Sequence, residues 1–265
     1  MLENILRPDW LEKKPRYAFV IGLIYSIIGI IAALIVFPKS SGIASIAFLS
    51  LLLVPSLAGI LSIEEIQDRN SKKFSLKKIF VDHSDVLEVY FMLFLGIFLA
   101  YALFSLRFPE LLVQGVFDSQ VHAVGINAGN ATGGINFYTI FTNNLKIILI
   151  FFILSLIFGA GSILFLAWNA SVWGIVFGYM ATHYTDALQT FLLTFLKVMP
   201  HMFLEVGAYF FAIIAGGIMS QAVLREKLGS GKFEYAMKDG FVFMTVGMIL
   251  LVLGALVEVY VYTLF

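Results

Sequence analysis

The sequence predicts an all-α fold, a polytopic transmembrane helix bundle of about six to seven spans. Short or broken helices are expected around residues 168–200. Three observations carry this. The 265 residues are 60% hydrophobic and only 13% charged, with a mean hydropathy of +0.95, whereas soluble chains run about 45–50% apolar and about 25% charged. Apolar stretches recur at close to the length, about 20 residues, that a helix needs to cross hydrocarbon. Basic residues gather in segments that alternating spans would put on one face. The net charge is zero and cysteine is absent. The first gives no charge-based case for binding nucleic acid. The second excludes disulfide frameworks, cysteine-based zinc sites and thiol catalysis.

Taken in order, the start, MLENILRPDWLEKKPRYAF, is polar and mixed in charge. No small-residue cleavage site follows a short apolar core, so an uncleaved first span is expected. Spans are expected near 18–36, 42–63, 87–106, 145–168, 172–182 (short), 201–223 and 241–262. A further apolar piece, 187–199, leads into Pro200. The whole of 1–265 reads as one integral membrane domain. Within it, 107–143 is an outer loop rich in Gly and Asn. Two charge-poor stretches interrupt the pattern: Trp168-Asn169-Ala170-Ser171 and Lys197-Val198-Met199-Pro200-His201. Proline lacks an N–H and disfavours a helical residue before it, so Pro200 is expected to break the helix and open a new one. Such breaks are either tight turns near the interfaces or the discontinuous helices with which transporters build sites.

The basic groups are Arg7, Lys13, Lys14 and Arg16; Arg69, Lys72, Lys73, Lys77 and Lys78; and Arg225, Lys227, Lys232 and Lys238, together 13 of the 17. An excess of Lys and Arg marks cytoplasmic loops. The expected location is therefore the cell membrane, with the N-terminus cytoplasmic and Phe265 outside. The outer loop carries Asn130-Ala131-Thr132, a possible glycosylation sequon on the appropriate side. Its apolar pieces, 111–117 and 137–141, are expected to pack down on the bundle.

The chemistry concentrates in PHMFLEVGAYFFAIIAGG, from Pro200 to Gly217. His201 and Glu205 lie four residues apart, about 40° around a helix. Below them on the same face come Ala208, Tyr209, Ala212, Ala215 and Gly216, a small-residue stripe that admits a neighbouring helix closely. That places both polar groups inside the bundle. An ionised carboxylate at such depth is costly without a partner. His201 is the nearest, since i,i+4 side chains meet; Asn144, Asn169, His183 and Asp186 are other polar groups at or near span ends. The expected polar core or ion site is His201, Glu205, Asn144 and Asn169. As metal ligands His201 and Glu205 are weak candidates, because a catalytic zinc usually takes three protein ligands and no HExxH occurs. No G-x-S-x-G, P-loop or dinucleotide fingerprint is present, so no cofactor is implied and no enzyme is expected.

The second half resembles the stage II sporulation protein M family of multi-pass membrane proteins, found in bacteria and archaea. The resemblance rests on residues 143–220, within a family-like core of 143–222. It begins with Asn143-Asn144-Leu145-Lys146 and an apolar helix with Gly159 and Gly161. Trp168-Asn169-Ala170-Ser171-Val172-Trp173-Gly174 and Gly178 follow, and then Pro200-His201-Met202-Phe203-Leu204-Glu205 with a small-residue helix. Met202 stands where the family pattern looks like Pro-His-Gly, and Ala170 where it often has Gly. The first half, to Leu106, carries no such motif. The resemblance implies a membrane scaffold or assembly component, as in spore formers, where such a protein holds wall-remodelling enzymes at the engulfing membrane. Its Asn, His and Glu groups would then latch the helices. A proton- or ion-coupled transporter or channel-like protein using Glu205 and His201 is the alternative. An intramembrane hydrolase or metalloprotein is a third reading. The expected partners are the lipid bilayer, other membrane or envelope proteins and a further copy of the chain.

Overall fold

Hydrocarbon offers a backbone no water to bond, so apolar runs of this length close their own hydrogen bonds as helices. A computed structural model describes residues 14–68, 84–129, 136–159, 163–182 and 185–264. The helices, in chain order, are α1 (Arg16–Val36), α2 (Ser41–Asp68), α3 (Ser84–Arg107), α4 (Glu110–Val116), α5 (Asp118–Gly129), α6 (Phe137–Phe158), α7 (Ile163–Thr182), α8 (Ala187–Arg225) and α9 (Gly231–Leu264). Six of these, α1, α3, α6, α7, α8 and α9, are long and apolar enough to cross a membrane, and α2 is apolar over Ser41–Pro55. The fold is the all-helical bundle that the composition predicts. Several of the basic residues used for orientation, and the sequon at Asn130, lie outside the described residues.

Two expected breaks do not occur. α7 runs unbroken through residues 168–171. There Asn169 Nδ2 donates to the Phe165 carbonyl at 2.9 Å and Ser171 Oγ to the Trp168 carbonyl at 2.8 Å. Polar side chains that bond back onto their own helix need no loop. The boundary falls earlier, at Gly159, which ends α6 with φ 54°, a conformation glycine adopts without cost. The second correction concerns Pro200, which lies inside α8 rather than at its start. Its ring is exposed and frees one carbonyl, that of Leu196, four residues back. Ending the helix there would free several backbone groups at once, which is worse where water is absent. At 39 residues, α8 is about 58 Å long at 1.5 Å per residue. It therefore outspans a hydrocarbon core of about 30 Å.

Within 107–143, expected as a loop, the described residues 110–116 and 118–129 form the helices α4 and α5. Phe117, between α4 and α5, is fully buried and meets Tyr101 and Phe104 edge-on at 5.6 and 5.1 Å. Gln120 Nε2 donates to the Gly42 carbonyl at 3.0 Å, fastening α5 to the start of α2. The expected packing onto the bundle holds at Val113 and Phe117, whereas Leu111 is exposed.

Small residues set where the long helices cross. A β-carbon at Gly22 would stand 2.7 Å from the Leu93 carbonyl oxygen, and one at Gly96 would overlap that of Phe19, so α1 and α3 touch backbone to backbone. α3 meets α7 in the same way at Gly174, 2.5 Å from the Phe98 oxygen, and Ser105 Oγ donates to the Ile175 carbonyl at 2.9 Å beside it. α6 meets α8 at Gly216, 2.5 Å from the Phe152 oxygen, with Ser155 Oγ donating to the Ile213 carbonyl at 2.6 Å. Close backbone approach with a hydroxyl bond across it is how helices associate where lipid removes the hydrophobic drive. Ser155→Ala is expected to cost about 0.6–1.7 kcal/mol, read as a lower unfolding midpoint in detergent.

These crossings sort the spans into two groups. α1, α2, α3 and α7 form one; α6, α8 and α9 form the other. α8 joins them. Phe191 and Phe195, near its start, pack against Phe98 of α3 and Phe177 of α7. Its later part packs on α6 and α9 and is buried nearly all round from Val206 to Ile218. The face opposite His201 and Glu205 is therefore also inside protein at Phe210, Ile213 and Ile214.

Candidate functional site

Asn144 sits on the inward face of α6, two turns after its start, and is buried. An amide carries both donor and acceptor, and this one spends them on residues one turn apart on α8. Asn144 Nδ2 donates to Glu205 Oε1 at 2.6 Å, and Tyr209 Oη donates to Asn144 Oδ1 at 3.1 Å. The Glu258 carboxyl on α9 stands beside that of Glu205. A single polar chain thus runs Tyr209–Asn144–Glu205–Glu258 through three helices. Glu205 and Tyr209 are each 4% exposed, and Glu258 is half-buried.

The elements meet here for local reasons. Asn144 and Glu205 pair at one level, Ser155 and Ile213 at another, so α6 and α8 run parallel. Ala208 faces Gly247 while Glu205 faces Gly254, so α9 runs antiparallel to α8. Gly254 lets α9 come in: a β-carbon there would stand 3.1 Å from Glu205 Cγ and 3.4 Å from Leu204 Cβ. Phe151 lies edge-on to the Tyr209 ring at 5.2 Å and shields the cluster on one side. Gly254→Val is expected to push α9 outward and cost about 1–3 kcal/mol, again read from detergent unfolding.

Of the residues expected at this site, the structure brings Asn144 and Glu205 together. His201 is buried one turn before Glu205 on the same helix. The bond named at Glu205 goes to another helix, where the i,i+4 spacing suggested His201. Asn169 is not in the cluster; it is half-buried on α7 and bonds its own helix. Asn169→Ala should therefore change stability by less than about 0.5 kcal/mol, well below any change at Asn144. Asp186 caps α8 by accepting from the Gln189 amide at 3.0 Å, and His183 lies outside the described residues. Among the described residues no group of three or more His, Cys, Asp or Glu side chains is placed to hold a metal ion.

Two members were missed as bonding partners. Tyr209 was on the predicted face but read as part of the stripe. Glu258 had a plain signal: it is the lone charged residue in the apolar run 241–262, and an ionisable group inside a span is a candidate for the site.

The long apolar helices and the polar chain buried between them define a polytopic α-helical membrane protein. Within that class, the chain belongs to the stage II sporulation protein M family, whose model matches residues 18–261. The match therefore reaches well beyond the motifs at 143–220 and takes in the first four-helix group. No curated protein and no solved structure shows significant similarity.

Proposed function

We propose that this protein is a membrane scaffold or assembly component whose polar chain latches the helix bundle. The carrying observation is the mutual satisfaction of Tyr209, Asn144 and Glu205 across α6 and α8, with Glu258 of α9 beside them. Each group spends its hydrogen bond on another helix, which is what a latch requires. In this reading the N-terminus is cytoplasmic and the C-terminus outside, in line with the basic segments. The partners are other membrane or envelope proteins, or a second copy. The test compares Glu205→Gln with Glu205→Ala in native membranes. A scaffold keeps its cross-linked partners when the glutamine variant stays folded, and loses them when the alanine variant unfolds.

A second reading, an ion-coupled transporter, is favoured by the Glu205–Glu258 contact. Two carboxyl groups side by side within spans are the kind of site on which proton relays are built. Proton flux in vesicles of the purified protein that vanishes in Glu205→Gln, with the fold intact, would establish transport and overturn the scaffold.

A further inference from the structure

The first helix group contains a second buried polar set, distinct from the Glu205 cluster. Most described serines within the bundle spend their hydroxyls visibly. Ser45 Oγ lies 2.8 Å from the Gly42 carbonyl and 2.8 Å from Tyr101 Oη, Ser105 reaches the Ile175 carbonyl, and Ser171 reaches that of Trp168. Ser26 on α1 and Ser50 on α2 do not. They are 0% and 4% exposed, and neither hydroxyl has a hydrogen-bond partner. A helical serine can always turn back to a carbonyl of the preceding turn. Two that stay turned away, in a fold where an orphan hydroxyl is costly, need a common explanation.

Their positions supply one. Residues 37–40 join α1 to α2 as an antiparallel hairpin. A β-carbon at Gly29 would meet the Ser45 carbonyl oxygen at 2.7 Å and the Leu49 nitrogen at 3.3 Å, so residue 29 lies opposite the turn between 45 and 49. Carrying that register on along both helices sets Ser26 opposite Ser50. Ser26 also shares a helix face with Gly22 and Gly29, the residues that bring α3 and α2 to α1. Both hydroxyls thus belong to the interior of the same crossing.

We propose that Ser26 and Ser50 hold one internal water molecule between α1 and α2. Water is the chemistry that fits: neutral, able to donate and accept toward two hydroxyls, and typically making about 2–4 bonds when buried. Elsewhere on α2, Ser45 Oγ and Gln120 Nε2 both donate to the Gly42 carbonyl, and the buried Gln120 Oε1 also has no partner.

A double-mutant cycle on the full-length protein in detergent tests this. With a bridging water, Ser26→Ala and Ser50→Ala each lower the folding equilibrium constant about threefold. The double variant then falls little further, because the bridge is already gone. Singles that leave stability unchanged or raised would mean the hydroxyls are orphans and sink the proposal, as would effects that multiply. Ser45→Ala, which loses a direct bond to Tyr101, is the control for a water-free pair. A map resolving ordered solvent gives the second readout. Density between the two hydroxyls supports the bridge, and direct contact or empty space there overturns it.

Discussion

Glu205→Ala is expected to destabilise the bundle by about 3 kcal/mol, since it strands the buried Asn144 amide donor without its partner. Glu205→Gln retains an acceptor for Asn144 Nδ2 and should cost about 1 kcal/mol. The comparison is read from unfolding midpoints in mild detergent. Equal losses in the two variants would mean that the acceptor oxygen that glutamine retains, and so the hydrogen bond at 2.6 Å, is not what holds α6 to α8. Asn144→Ala should behave like Glu205→Ala, because it cuts the same chain at its middle and also releases Tyr209. The double variant should cost less than the sum, as expected for residues in one network.

The second large effect is expected at Gly96. A side chain there meets the Phe19 carbonyl, and the reciprocal contact at Gly22 is against the Leu93 carbonyl at 2.7 Å. Neither obstacle is the flexible end of a side chain, so the helices must part. Gly96→Leu should cost about 3 kcal/mol or more, at or beyond the upper end of overpacking. Gly115→Ala on α4 is the matched control. Nothing lies within 4 Å of a β-carbon there, and alanine should gain about 0.5–1 kcal/mol from helix propensity. If both substitutions cost alike, the α1–α3 crossing is looser than its geometry states.

The helical class and the approximate spans were legible because lipid leaves few alternatives: apolar runs of sufficient length become helices whatever their neighbours. Within 145–200 the helix end at Thr182 and the start at Ala187 were legible too, but the two expected breaks at 168–171 and Pro200 were not there. Asn169 and Pro200 are breakers by local rule, yet each is accommodated within its helix, by a back-bond in one case and an outward-facing ring in the other. The signal that did end a helix, Gly159, was visible but read as lying inside an apolar helix. At the site, the 3.6-residue period brought Glu205 to the interior face correctly. It could not name the partner, because Asn144 and Glu258 come from helices far away in the chain, and only tertiary packing brings them together. His201 was favoured for the pairing because spacing along one helix is the only proximity a single sequence displays.

The polar chain also orders the making of the protein. Helices leave the ribosome in sequence, so Asn144 has already entered the membrane when Glu205 emerges, and Glu258 arrives on the helix after. α8 therefore meets lipid with one partner waiting and the other still to be synthesised. A nascent chain stalled between them holds a half-satisfied carboxyl. The polar chain is therefore complete only when α9, the last helix to be made, has packed against α8.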